Sequence, residues 1–255
     1  MKLPLHEYVL SLILTLALAL LIVRLLGSGL AGVYKFFISY AIVDLLQTVA
    51  PFFIPFKTAF YAYFFLVTES FSLCLYALVI FELYSVLFRD LKGIGAVARR
   101  YTVAVLGISI LIALGLRKAL PQPRRMIEQF FYFEIPVVSS LVLFILLLML
   151  FLVYYPIPIH RNALVYSAGY AVYFLSKATI LFLSNAGSSA WIRACSTAAS
   201  IVALLSVVFW AMYLSREGER RTIVAGHRWS TPRAQQQVLQ RLYELNESLL
   251  RAKAR

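Results

Sequence analysis

The chain has 255 residues, of which 62% are hydrophobic and only 14% are charged, against roughly 25% charged residues in soluble domains. This composition excludes a water-soluble globule of that size, because there is too little polar surface to cover it. The formal net charge is +13, and the basic residues lie beside long apolar segments. We therefore expect the lipid bilayer, and anionic headgroups at its cytoplasmic face, as partners, and no nucleic acid.

Seven apolar segments follow one another along the chain, each close to or above the roughly 20 residues that a spanning helix needs. Open strands leave backbone groups unpaired in lipid, so the segments predict helices and an all-α, polytopic membrane protein. The first segment is too long for a signal-peptide core and is interpreted as a span. The predicted spans are Glu7–Leu26, Val33–Ile54, Thr58–Phe88, Tyr101–Leu120, Gln129–Tyr155, Asn162–Asn185 and Ser189–Leu214.

The distribution of basic residues predicts the orientation of the spans. With the N-terminus outside and the C-terminus cytoplasmic, the inner side holds the larger share of Lys and Arg, as the positive-inside rule requires. The inner ends, loops and tail then hold Arg24, Lys35, Arg89, Lys92, Arg99, Arg100, Arg161, Arg216, Arg220 and Arg221, and the outer segments hold Lys2, Lys57, Arg117, Lys118, Arg124 and Arg125. The basic connection between the fourth and fifth spans opposes this choice. The expected location is a bacterial cell inner membrane.

The sequence predicts a membrane domain over residues 1–215 and a basic cytoplasmic tail over residues 216–255. In the tail, Thr231-Pro232 reads as a helix cap followed by proline at the first helical position. An apolar seam then predicts an amphipathic helix over about residues 232–253. Four residues form the seam of this interaction helix: Val238, Leu242, Leu245 and Leu249. The seam can form a homo-oligomer, bind a partner helix, lie on the membrane or dock on the protein's own inner loops.

Ionisable residues inside the spans are the candidate ligand-binding or ion-pathway residues, because a charge at the centre of a spanning helix costs about 2.5 to 3.5 kcal/mol. Counting from the span ends places Asp44, Glu69 and Lys177 in one layer near the bilayer midplane. Gln47, Thr48, Ser70 and Ser176 can complete the hydrogen bonds of this layer, while Glu134 and Arg193 can pair one layer further out. A buried structural ion pair is an equally good interpretation.

Two further patterns have a structural interpretation. Glu82 is expected near the inner interface, either tied to Arg89 or Lys92 or solvated. Aromatic residues at the span ends indicate interfacial belts, as at Phe60, Tyr61, Tyr63, 130–133, Tyr154, Tyr155 and Trp191.

A weak internal repeat aligns residues 40–43 with residues 170–173 at an offset of 130. This offset places the first three spans on the last three, with the fourth as a linker, as in some transporters. Seven evenly spaced spans produce the same offset by chance.

The sequence contains no H-E-x-x-H, G-x-S-x-G or Walker motif. Cys74 and Cys195 are expected to be buried thiols, and the three histidines have no zinc spacing. We therefore expect no enzyme activity, cofactor or metal.

The segments Phe60–Glu69, Ile80–Tyr84 and Phe36–Tyr40 resemble uncharacterised multi-pass membrane proteins that are frequent in Acidobacteria and related bacteria. The resemblance is best over the second and third spans, where Glu69 and Glu82 match acidic positions. It implies a bacterial inner-membrane helical bundle and no particular activity.

Three functions are compatible with these patterns. The first is a non-enzymatic sensor or scaffold that relays through its cytoplasmic tail. The second is a small-solute transporter with a charged midplane site, and the third is an intramembrane enzyme.

Overall fold

The computed structural model of the chain describes residues 5–55, 58–119, 126–185, 189–224 and 232–254. Within these residues the chain forms eight α-helices and two short strands. The helices are α1 (Leu5–Gly27), α2 (Lys35–Phe53), α3 (Ala59–Leu87), α4 (Lys92–Ala119), α5 (Met126–Tyr154), α6 (Arg161–Asn185), α7 (Ser189–Tyr213) and α8 (Pro232–Ala254). The strands are β1 (Pro158–His160) and β2 (Thr222–Val224).

Seven of these helices, α1 to α7, are long and apolar enough to cross a membrane. Their outward faces carry exposed leucines such as Leu20, Leu111 and Leu205, which suit contact with lipid chains. The structure thus confirms an all-α, multi-pass membrane protein with an additional C-terminal helix. We call the end of the bundle where α1 begins the N-terminal face, and the end where α7 finishes the tail face.

Six helices form a closed ring in the order α1, α2, α3, α5, α6 and α7, with α7 packed back onto α1. Neighbours in the ring run antiparallel except at two places, where α3 meets α5 and α7 meets α1. The ring therefore consists of two units of three helices joined by two parallel contacts. Helix α4 connects the units and lies outside the ring, against α5 and α3.

The tail begins with a short structure that the sequence did not indicate. Strands β1 and β2 pair antiparallel, with Ile159 opposite Ile223. Next to them, the Arg161 N–H donates to the Arg221 carbonyl over 2.9 Å. The Arg24 side chain donates to the carbonyls of Met212 and Leu214 at the end of α7. The strand pairing and the Arg161–Arg221 bond hold the first part of the tail against the start of α6, and the Arg24 bonds hold the end of α7 against α1.

Helix α8 packs on the first turns of α4. The buried Asn246 side chain accepts the backbone N–H groups of Gly93 and Ile94, over 2.7 and 3.3 Å. These are orphan donors at a helix start, so α8 acts as the cap of α4. Close approach at Gly93 requires the missing side chain, because a Cβ there would lie 2.5 Å from the Asn246 carbonyl oxygen.

The seam of α8 is only partly covered by this contact. Leu242 is buried, Val238 and Leu249 are half-buried, and Leu245 is 52% exposed. The face of α8 that packs on α4 is thus rotated from the predicted apolar seam toward Asn246. The apolar pattern alone did not indicate this residue.

Most helix ends lie within a few residues of the predicted spans, but α4 begins at Lys92 rather than Tyr101. Arg99 and Arg100 are exposed, so the helix continues past the apolar segment with both side chains directed outward. The cap supplied by α8 stabilises this extension. The connection between α4 and α5, with Arg124 and Arg125, lies outside the described residues, as does Lys57.

Candidate functional site

A cavity of about 580 Å³ lies inside the ring, in the half toward the N-terminal face. Six helices line it, and α4 does not contribute among the described side chains. Small and polar side chains on α1, α2, α6 and α7 leave this space open where larger ones would fill it. The polar residues that line the cavity are Glu7, Ser11, Asp44, Gln47, Thr48, Glu69, Glu134, Tyr173, Ser176, Lys177, Ser196, Thr197 and Ser200.

At the floor of the cavity, Lys177 on α6 lies between two glutamates from different helices. Its Nζ is 2.7 Å from Glu69 Oε1 on α3 and 2.8 Å from Glu134 Oε1 on α5. Gln47 on α2 donates to the other Glu69 oxygen over 3.0 Å. The Lys177 side chain is 19% exposed while that of Glu134 is 1% exposed. The ammonium group therefore joins three helices directly, with α2 added through Gln47, and still faces the cavity.

The remaining predicted residues of this layer are divided between the cavity and the lipid side. Asp44 lines the cavity from α2. Thr48 and Ser176 also line the cavity. Ser70 does not, because its side chain is exposed and donates to the Leu66 carbonyl of its own helix.

Glu134 lies in the charged layer itself and not one layer further out. Helix α5 begins at Met126, three residues before the predicted start, which puts Glu134 deeper in its helix. Counted from the helix ends, Asp44, Glu69, Glu134 and Lys177 all lie about 12 to 15 Å from the N-terminal face. The side chain of Arg193, the predicted partner of Glu134, lies outside the described residues.

Below the charged layer the ring is filled by aromatic side chains. Rings from α2, α3, α6 and α7 contact one another edge to face or tilted, with centroids 4.7 to 6.4 Å apart, a favourable range for aromatic pairs. We call this set the aromatic core: Phe37, Tyr40, Tyr76, Tyr166, Tyr170, Tyr173, Phe174 and Trp210. It closes the cavity toward the tail face.

Gly169 permits the closest contact in this core. A Cβ there would lie 2.2 Å from Trp210 Nε1, so the Trp210 indole rests directly on the α6 backbone. The position of Trp210, which is 1% exposed, thus depends on a glycine at residue 169.

The sequence-based expectation for Glu82 is wrong, because this residue is neither solvated nor paired with Arg89 or Lys92. It is 6% exposed and accepts the backbone N–H groups of Phe36 and Phe37, over 3.0 and 3.2 Å. The Tyr166 hydroxyl also donates to it, over 3.1 Å. The free N–H groups at the start of α2 explain why a carboxylate is stable here.

A second polar cluster ties the tail to the tail face of the bundle. Glu219 accepts a hydrogen bond from the Tyr34 hydroxyl over 3.0 Å and lies 3.4 Å from Asn162 Nδ2. The Arg89 guanidinium is 3.8 Å from its other oxygen. Burial, and then the nearby Glu219 carboxylate, raise the pKa of the Tyr34 phenol, which keeps this phenol a hydrogen-bond donor.

The sequence contained a signal for the aromatic core that went unused. Tyr166, Tyr170, Tyr173 and Lys177 recur at spacings of four, three and four, which places them on one face of α6. The predicted interfacial belts concern aromatic residues at the span ends, whereas this line of phenols lies inside a span.

The chain matches no protein-family model, no curated protein and no solved structure with which it was compared. The geometry of the cavity and of the layers below it is therefore what bears on function.

Proposed function

We propose that the protein is a small-solute transporter whose substrate binds in the cavity above Lys177, Glu69 and Glu134. The observation that carries the proposal is the contact between the cavity and the charged layer. A charged group inside a span that faces a water-filled cavity typically marks a substrate or ion pathway. Here the ammonium group remains accessible from a space of about 580 Å³, which lies within the size range of small-molecule sites.

The arrangement of the ring supports transport over simple binding. Two three-helix units surround the cavity, and α4 joins them from outside. Transporters built from parallel repeats place their substrate near the midplane between two such units. Movement of one unit against the other at the parallel contacts, α3 with α5 and α7 with α1, would alternate the access to the site.

The chemistry of the lining favours a solute that carries an amino group. Among the described side chains, Glu7, Asp44, Glu69 and Glu134 supply carboxylates and Lys177 supplies one ammonium. A cationic amine or a zwitterion complements this excess of acid, whereas a neutral sugar does not.

The basic residues, which are denser at the tail face, support an orientation with the tail on the inner side. We place the N-terminal face outside and the tail in the cytoplasm of a bacterium, in the inner membrane. The cavity then opens to the outside, and the basic tail face meets anionic headgroups.

The test is uptake of three radiolabelled probes into proteoliposomes: methylammonium, alanine and glucose. We expect uptake of methylammonium or alanine above that of protein-free liposomes, and none of glucose. Glu69→Gln and Lys177→Met should each lower the rate to that of protein-free liposomes.

A steric pair of variants on one helix checks that the cavity itself is used. Ser200→Trp fills the cavity without altering a charge, while Leu205→Trp places the same side chain on the exposed face of α7. Ser200→Trp should abolish uptake and Leu205→Trp should preserve it. Equal rates in the two variants, or no uptake of any probe, would contradict the proposal.

A second candidate function is a sensor that relays through its tail. The contact of Glu219 with Tyr34, Asn162 and Arg89 favours it, because the tail is attached to three separate parts of the bundle. Removal of residues 231–255 should then abolish the capture of a partner by the full chain in a pull-down. Retention of the same partner set by the truncated protein would exclude this function for α8.

A further inference from the structure

A line of phenols on α6 runs from the cavity toward the tail face. Lys177, Tyr173, Tyr170 and Tyr166 follow one another on the inner side of the helix at intervals of about one turn. Tyr166 and Tyr170 are fully buried, and Tyr173 lines the cavity. These side chains cover about 16 Å along the helix axis at about 1.5 Å per residue.

The upper part of this line is continuously hydrogen-bonded. Lys177 Nζ, already paired with two glutamates, donates to the Tyr76 hydroxyl over 2.9 Å. The Tyr76 hydroxyl is 3.4 Å from that of Tyr173, which is 2.7 Å from the Tyr40 hydroxyl. Exchangeable protons can therefore pass between the cavity floor and three phenols.

The lower part contains a second hydrogen-bonded group, Tyr166 with Glu82, and a separate hydrogen bond nearer the tail face, from Tyr34 to Glu219. Tyr166 donates to Glu82 over 3.1 Å, and the Tyr166 ring contacts that of Tyr34, with centroids 4.9 Å apart. The Tyr34 hydroxyl in turn donates to Glu219, whose side chain is 18% exposed at the tail face. A contact between the Tyr166 and Tyr34 rings, and not a hydrogen bond, joins the Tyr166–Glu82 pair to the Tyr34–Glu219 pair at the tail face.

Tyr170 lies between the two groups and is bonded to neither. Its ring centroid is 6.3 Å from that of Tyr173 and 5.1 Å from that of Tyr166. Its hydroxyl is buried and has no hydrogen-bond partner among the described residues. An unpaired buried hydroxyl is unfavourable, so a partner reached by side-chain rotation or through an ordered water lowers the free energy.

We propose that this line of phenols conducts protons between the cavity floor and Glu82, with Tyr170 as the residue that connects the two hydrogen-bonded groups. Each hydroxyl oxygen accepts a proton from one side and releases its own proton to the other. One proton is taken up at the Glu69–Lys177–Glu134 layer and one leaves through Glu82, so charge and atoms balance. Proton conduction is an activity separate from the binding of a solute.

The test uses proteoliposomes that contain a pH-sensitive dye, with an inward proton gradient and with valinomycin and potassium to cancel the membrane potential. No solute is added. We expect the full-length protein to acidify the interior faster than protein-free liposomes do. Tyr170→Phe should reduce this rate to that of protein-free liposomes, and Glu82→Gln should also reduce it.

Tyr170→Phe removes a hydroxyl that holds nothing in place, so its thermal unfolding in detergent should match or exceed that of the unmodified protein. Phe174→Leu is the matched control, because Phe174 stacks on Tyr170 from the same helix and carries no hydroxyl. It should retain proton conduction.

Unmodified protein that conducts no better than protein-free liposomes would overturn the inference, as would a Tyr170→Phe variant that conducts normally. Solute uptake without proton conduction refutes the inference and leaves the transporter proposal intact. Proton conduction without uptake of any probe supports the inference and refutes the transporter proposal.

Discussion

The two halves of the helical ring are built from the same helices but have opposite interiors. Toward the N-terminal face the interior is hollow, lined by serine, threonine and alanine, and holds a lysine between two glutamates. Toward the tail face it is filled by the aromatic core and leaves no comparable space among the described residues. On α6 the interior changes from the charged layer to the aromatic core within about one turn, between Lys177 and Tyr173.

Inside the ring, the paired charges and the dense aromatic packing are separated along the bundle axis, apart from the buried Glu82 in the packed half. The hollow half concentrates charges that are expensive to bury, which is typical of functional sites in membranes. The packed half supplies the dispersion and aromatic contacts that fix the helices. The first half should therefore respond to changes of charge and the second to changes of volume.

Removal of the lysine charge is expected to have the largest effect. Lys177→Met leaves Glu69 and Glu134 close together without their counter-ion, and breaking a buried pair on one side costs about 3 to 5 kcal/mol. The free energy of unfolding in a denaturing-detergent titration measures this loss. Adding Glu69→Gln to Lys177→Met should restore part of it, and a double variant less stable than the single one would contradict the electrostatic account.

A change of volume in the packed half is expected to come next. Gly169→Ala places a methyl group against Trp210 Nε1, and overpacking of this kind costs about 1 to 3 kcal/mol. Gly107→Ala on α4 is the control, because nothing lies within 4 Å of a Cβ there. That control should be neutral or stabilise by up to about 1 kcal/mol, and equal losses in both variants would refute the close contact.

The contact between α8 and α4 belongs to neither half and should contribute less. Asn246→Ala removes the cap of Gly93 and Ile94, which costs about 1 kcal/mol. Hydrogen exchange should increase in α8 and in the first turn of α4. Ser248→Ala is the control, since its exposed side chain bonds only within α8; unchanged exchange in Asn246→Ala would show that the cap does not hold the helix.

The ion pair at the tail face is expected to have the smallest effect. Arg89 is more than half exposed and 3.8 Å from Glu219, so Arg89→Ala should change the free energy of unfolding by less than about 1 kcal/mol. Tyr34→Phe, which removes a buried hydrogen bond to the same carboxylate, should cost more. A larger loss in Arg89→Ala would reverse this ranking of the two contacts.

The fold class could be predicted from the sequence, because seven apolar segments leave the chain few alternatives to spanning helices in lipid. The sequence also placed Asp44, Glu69 and Lys177 at one depth, since depth depends only on counting along helices. It could not give the ring order or the position of α4, which depend on which faces pack together.

Two features of the site could not be predicted from the sequence, for specific physical reasons. The depth of Glu134 depends on where α5 begins, and the helix begins at Met126, three residues before the predicted start. The partners of Glu82 are backbone N–H groups of α2, which every sequence contains and no side-chain pattern reveals. The two strands are three residues long each and too short to give a periodic signal.

The central claim is that water reaches the charged layer from one face and stops at the aromatic core. Labelling with a membrane-impermeant thiosulfonate tests it most directly, in a protein whose Cys74 and Cys195 are replaced by serine. Ser176→Cys lies in the cavity and Ser167→Cys lies in the packed half of the same helix, fully buried. We predict rapid labelling of the Ser176→Cys protein and much slower labelling of the Ser167→Cys protein, and equal labelling of the two would contradict the account.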